Sequence, residues 1–297
     1  MLLFGNEYHK SSGYYLISIF NYFQQAISDF ADFLYKVIYS FPKLTKQNSV
    51  TDKTIQHQAL CAGIFIKKDQ LQLINDTTYS LQTQHLGKDK NLHVSDIFYN
   101  ERYIKKAAGS CFVKSKNTVS TAYHVVDSVG DIDIFIDNYV VVFGLTDTGD
   151  ATIFLPKENA IELEKVIASD SSENYDFIDF KLKDTIPSFV KVPAQNEIDL
   201  KVGDTIYIAG YPLKTALTIS DKAVINTLHD TYFTTHADVF EYSSGSPVFL
   251  ARNNALIGFV KGNKEQDLIC NENLNCMQTN IIEPNASNEK KIILLTN

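Results

Sequence analysis

From Gly109 to Val260 the chain is cut into short runs of β-branched and aromatic residues by Gly, Asn and Asp, and no segment there sustains the three-to-four spacing of a long helix. Many short strands at turn-separated intervals must bury their apolar faces on one another, so the pattern predicts packed antiparallel β-barrels and excludes a β-α-β layout. A first barrel is read from Tyr103–Lys106, Gly109–Lys114, Thr118–Thr121, Ile132–Ile136, Tyr139–Phe143, Thr152–Leu155 and Phe177–Leu182. A second is read from Thr205–Ala209, Leu217–Leu228, Thr231–Thr235, Val248–Leu250 and Leu256–Val260. Ala62–Ile66, Leu71–Ile74 and Thr77–Leu81 are extra β structure before or within the first barrel.

The chemistry concentrates in Glu241–Lys261, EYSSGSPVFLARNNALIGFVK, where a Ser-Gly-Ser-Pro turn runs into an apolar β-hairpin. Gly245 relieves a tight turn behind Ser244, and Pro247 fixes the backbone at the start of the strand. Such a turn can present the Ser244 hydroxyl outward. A hydroxyl becomes a nucleophile only beside a base, and the base needs an orienting group. Two upstream segments offer them: His124 in TAYHVVD, and Asp176 at the mouth of the strand DFIDFKL. Asp179 competes with Asp176, but strand alternation sends it to the opposite face. The order His, Asp, Ser separates this set from the subtilisin and α/β-hydrolase arrangements.

At these residues the chain resembles the trypsin-like serine proteases, nearest their HtrA-type and glutamyl-endopeptidase branches. The resemblance rests on four segments in the family's order: GSCFVKSKNTVSTAYHVVD, DFIDFKL, VGDTIYIAGYP and SSGSPVF. It implies two antiparallel β-barrels of the chymotrypsin type. It also implies His124 as base, Asp176 as its orienter and Ser244 as nucleophile, with the backbone N–H groups of Tyr242 and Ser244 as oxyanion donors. The substrates would be proteins or peptides, and no cofactor would be needed. One departure stands out: the family carries Gly two residues before the nucleophile and Asp or Asn next, where this chain has Tyr242 and Ser243. A poorly formed oxyanion site would leave a weak or inactive protease-fold binding module as the alternative. For substrate contacts, Asp238 lies at the spacing of the trypsin pocket aspartate, which would favour a basic residue before the scissile bond, with His236 as a weaker candidate. Val260 occupies the place of the glutamyl-endopeptidase pocket histidine, so Glu specificity is not expected.

The remaining sequence sets boundaries. Residues 1–58 read as an amphipathic helix and linker, 59–268 as the double barrel, and 269–297 as a polar C-terminal tail. The helix, over residues 14–41, has apolar residues at Ile19, Phe23, Ile27, Phe30, Leu34 and Ile38, with acids opposite. It is read either as a membrane-surface or partner-docking element or as packing against the protease body. Asp29 and Asp32 keep it from being an uncharged transmembrane span. The first residues show neither a basic n-region nor a small-residue cleavage site, so no cleavable signal peptide is expected and the compartment stays open. A net charge of −8 without a Lys/Arg block argues against a nucleic-acid partner. The four cysteines, Cys61, Cys111, Cys270 and Cys276, lack zinc-site spacing, so no metal is expected. Cys270 and Cys276 are read either as a local disulfide or as free thiols.

Overall fold

The computed structural model describes residues 44–194, 199–220, 222–262, 267–280 and 289–295. The amphipathic helix read in residues 14–41 lies outside them. Six strands form the first barrel: β1 (Ala62–Lys67), β2 (Ala107–Ser115), β3 (Thr118–Ala122), β4 (Tyr139–Phe143), β5 (Ala160–Asp170) and β6 (Phe177–Leu182). They pair in the order β1-β2-β3-β6-β5-β4, and β4 pairs back onto β1. The second barrel comprises β7 (Thr205–Gly210), β8 (Ala223–Leu228), β9 (Tyr232–Thr235), β10 (Pro247–Leu250), β11 (Ala255–Gly262) and β12 (Lys290–Leu294). Its order is β7-β8-β9-β12-β11-β10, closed by β10 on β7. The two halves therefore repeat one antiparallel topology, and closure leaves neither barrel with an open edge.

The barrels share their packing. Phe112 of β2 stacks on Phe259 of β11 with ring centroids 5.8 Å apart, and one continuous cluster joins the first-barrel core to Tyr207, Tyr211, Phe249 and Ile293 of the second. A separate cluster around Ile206, Phe233, Val248 and Val260 fills the second barrel. Apolar contact across the seam fixes the barrels against each other, which matters because the candidate site draws residues from both.

Several sequence expectations need correction. Ile132–Ile136, a short apolar run read as a strand, lies within a helix, Ile132–Asn138. Asp131 caps its N-terminus by accepting from the N–H groups of Asp133 and Ile134 at 2.7 and 3.2 Å, and Phe135 supplies the buried contact. Thr152–Pro156 is a strand, but it pairs with Thr78–Gln82, which in turn pairs with Leu71–Asn75, in a three-stranded sheet outside the barrel. Of the run Tyr103–Lys106 only Tyr103 lies in a strand, Arg102–Tyr103, which pairs with Gln84–His85. The first barrel takes β1 and β5 in place of these.

The domain boundaries shift as well. In the expected linker, Leu44–Lys46 pairs with Thr218–Ser220 of the second half, and Lys53–Ala59 is a helix capped by Asp52. In the expected tail, β12 sits between β9 and β11 with Ile292 fully buried, so it completes the barrel. All four cysteines are free. Cys270 faces Met277 across a hairpin whose register sets Asn271 opposite Cys276.

Candidate active site

Strand register brings the first two groups together. Phe177 of β6 pairs with Ala122 of β3, so the residue before one strand meets the residues after the other. The Tyr123 N–H donates to the Asp176 carbonyl at 2.9 Å, and the His124 N–H donates to Asp176 Oδ1 at 3.2 Å. His124 Nδ1 then lies 2.8 Å from Asp176 Oδ2. The Asp176 side chain is 6% exposed and that of His124 44%, so the carboxylate is enclosed while the ring meets solvent. With Nδ1–H donating to the carboxylate, Nε2 keeps its lone pair as an acceptor. Asp179 is elsewhere: its Oδ2 pairs with Lys114 Nζ at 2.7 Å.

Ser244 arrives from the second barrel, and Ser110 of β2 ties it across the seam. The Ser110 N–H donates to the Ser244 carbonyl at 3.1 Å, and Ser110 Oγ donates to the Tyr242 carbonyl at 3.0 Å. The Tyr211 N–H in turn donates to Ser110 Oγ at 3.2 Å. Sequence reading quoted Ser110 within its motif without seeing this role. Gly262, at the end of β11, supplies the space above. A Cβ there would sit 2.7 Å from Ser244 Oγ and 3.4 Å from His124 Nε2, so hydroxyl and imidazole flank one open point. Contacts of this kind often tighten only when substrate binds.

The turn before Ser244 carries the Tyr242 departure on a left-handed backbone. The Ser243 N–H donates to the Phe240 carbonyl at 3.0 Å, and Tyr242 has φ +69°, the pattern of a type II turn whose third residue is ordinarily Gly. The Glu241 carbonyl accepts from the Leu213 N–H at 2.8 Å, and a trans peptide points the Tyr242 N–H the opposite way. The Glu241 N–H donates to Asp267 Oδ2. Among the described residues neither the Tyr242 nor the Ser244 N–H has an intramolecular acceptor. Two backbone donors flanking one residue can bind an oxygen that gains negative charge. Lys214 Nζ sits 3.9 Å from the centre of the Tyr242 ring. Such a cation–π contact contributes about 0.5–2 kcal/mol, comparable to the roughly 1–2 kcal/mol that a left-handed backbone costs a residue other than Gly.

His124, Ser244, Tyr242, Glu241 and Asp267 border a cleft of about 270 Å³. The two expected substrate residues do not border it. Asp238 is exposed and borders a separate narrow crevice beside Ser243 and Ser246. Val260 is fully buried in the second barrel, because strand alternation turns its side chain inward. His236 lies 3.7 Å from Glu289. Asp267, Lys214 and Gly262 were missed by sequence reading, since each reaches the site only through the fold. A separate groove of about 920 Å³, bordered by Tyr79, Phe154 and Glu162, contains none of these residues.

The family comparison agrees with the architecture. A sequence model of the family "Trypsin-like peptidase domain" matches residues 109–259, about half of the chain. No curated protein matches. Two crystal structures of the Rv3671c protease of M. tuberculosis H37Rv, both inactive forms and one a Ser→Ala mutant, are similar at 16% identity. They give TM-scores of 0.45 and 0.46, covering 83% and 82% of this chain and 86% and 88% of theirs. With two closed barrels of one topology and a family match spanning His124 to Phe259, the chain belongs to the trypsin-like peptidase domain family.

Proposed function

We propose that the protein is a serine endopeptidase in which Ser244 attacks a peptide carbonyl and forms an acyl-enzyme that water then hydrolyses. His124 accepts the Ser244 proton and passes it to the leaving amine, while Asp176 holds the ring and stabilises the imidazolium. The N–H groups of Tyr242 and Ser244 bind the oxygen of the tetrahedral intermediate. The observation that carries this reading is the 2.8 Å His124–Asp176 bond combined with the shared position of Nε2 and Ser244 Oγ above Gly262. The alternative is a binding module in which Tyr242 disables the oxygen-binding turn; the positive φ of Tyr242, that of a type II turn, supports the enzyme reading instead. Asp238 stands outside the cleft, so the reading carries no preference for a basic residue.

The test is hydrolysis of a quenched-fluorescence peptide library by wild type, Ser244→Ala and Asp179→Asn. Wild type and Asp179→Asn should both cleave, and Ser244→Ala should lose on the order of 10⁴–10⁶ in kcat. Cleavage that survives in folded Ser244→Ala would contradict the proposal.

A further inference from the structure

We propose that Lys214 is a positioning residue for the oxygen-binding turn: its ammonium, resting on the Tyr242 ring, holds the Tyr242 backbone in the left-handed conformation that presents its N–H. This rests on the function proposed above and adds a residue from outside the catalytic set. The other bonds of the turn hold its neighbours, at Glu241, Ser243 and the Tyr242 carbonyl. They leave the ring free to swing if its own contact is lost. Lys214 is itself fixed. Its N–H donates to the Tyr211 carbonyl at 3.1 Å, its carbonyl accepts from the Ile104 N–H at 3.1 Å, and Nζ donates to the Lys105 carbonyl at 3.2 Å. Leu213 and Lys214 both have positive φ, 49° and 63°, which aims the lysine back at the turn. The same Leu213 donates to the Glu241 carbonyl, so one short segment grips the turn from both its backbone and its side-chain aspects.

The contact also makes the turn sensitive to pH. Burial and then the neighbouring Lys90 push the Lys214 ammonium down to about 8, while Glu241 opposes the shift. The other titratable groups around this cavity of about 220 Å³ are Tyr103, Asp267 and Tyr242 itself. The Tyr103 hydroxyl donates to Asp89, burial raises both phenols, and Asp267 accepts from the Glu241 N–H. Above pH 8 the amine loses its proton and with it the attraction to the ring. Turnover should therefore decline on the alkaline side around pH 8. The contribution of Lys214 to global stability runs the other way: its folded pKa lies below its unfolded value, so that contribution rises between about pH 8 and 10.5. Falling activity without falling stability separates a local change in the turn from unfolding.

The experiment compares Lys214→Met and Lys214→Arg, each in wild-type and Tyr242→Gly backgrounds. In the wild-type background Lys214→Met should lower kcat by about 10–100-fold with KM little changed, approaching the 10²–10³ expected when one oxyanion donor is lost. Lys214→Arg should restore most of kcat and move the alkaline decline upward, because guanidinium keeps its proton. In the Tyr242→Gly background all three residues at 214 should give the same kcat, and the decline near pH 8 should be absent. A Lys214→Met protein with unchanged kcat, or an equal loss in both backgrounds, would overturn the proposal. NMR couplings that report the sign of the Tyr242 φ give a reading independent of activity. Positive φ in wild type and its loss in Lys214→Met would support the positioning role even if Ser244 proved inert. Positive φ retained in Lys214→Met would refute it.

Discussion

Replacing Asp176 by Asn is expected to lower kcat by about 10⁴ with little change in KM or stability. The carboxylate is enclosed and accepts two bonds from one residue, the His124 N–H at Oδ1 and Nδ1–H at Oδ2. An amide can still accept from the backbone N–H, which keeps the turn in place. Its NH₂ group would then face Nδ1, which must accept in place of donating, so the ring proton moves to Nε2. An imidazole protonated at Nε2 cannot take the proton of Ser244. Steady-state kinetics on a cleaved peptide, with thermal melting as a control, measure both parts. A loss below about tenfold would mean that Asp176 does not set the tautomer.

The second large effect concerns Gly245. Its φ is +82°, and an added Cβ would fall 2.2 Å from both the Ser110 carbonyl oxygen and Thr121 Oγ1. Neither neighbour can step aside, since Thr121 Oγ1 donates to that same carbonyl at 2.7 Å and both belong to first-barrel strands. Gly245→Ala should therefore cost about 3–5 kcal/mol, the range of severe steric and backbone strain, and lower Tm by roughly 10 °C. It should also displace Ser244, whose carbonyl is held by the Ser110 N–H. Gly203 provides the contrast. Its φ is +89°, but a Cβ would meet nothing within 4 Å, so Gly203→Ala should cost only about 1 kcal/mol. Equal Tm values for the two variants would contradict the packing described for the nucleophile turn.

The parts of this molecule legible in its sequence are those whose signal is local. TAYHVVD, DFIDFKL and SSGSPVF each carry a candidate catalytic side chain together with the strand or turn that holds it. With VGDTIYIAGYP they make four segments in the family's order, and that resemblance anticipated the two-barrel fold. Elements whose state is decided by distant partners were misread. Ile132–Asn138 is rich in β-branched residues, but a capping aspartate and one buried phenylalanine accompany a helix there. Strand β5 was missed because only its first half alternates buried with part-buried residues, and beyond Leu163 its residues Glu164 and Lys165 are exposed. Strand β12 follows a polar stretch and opens with two lysines, so nothing local marks it as the strand that closes the second barrel.

The candidate site divides in the same way. The residues of the proposed triad could be picked out from their motifs, whereas the two substrate residues expected from the family resemblance, Asp238 and Val260, fall outside the cleft. A small offset along a strand is enough to turn a side chain from cleft to core. Tyr242 was visible as a departure from Gly, but its compensation was not. Lys214 reaches the Tyr242 ring only because Leu213 and Lys214 bend through two left-handed residues.

The central claim is that Ser244 is made nucleophilic by His124 and Asp176, and covalent labelling tests it most directly. A fluorophosphonate probe applied to the folded full chain, followed by peptide mapping, should place the adduct on Ser244 and on neither Ser243 nor Ser246. Labelling should vanish in Ser244→Ala and slow by orders of magnitude in His124→Ala. An adduct on another serine, or an unlabelled Ser244 in correctly folded wild-type protein, would contradict the account.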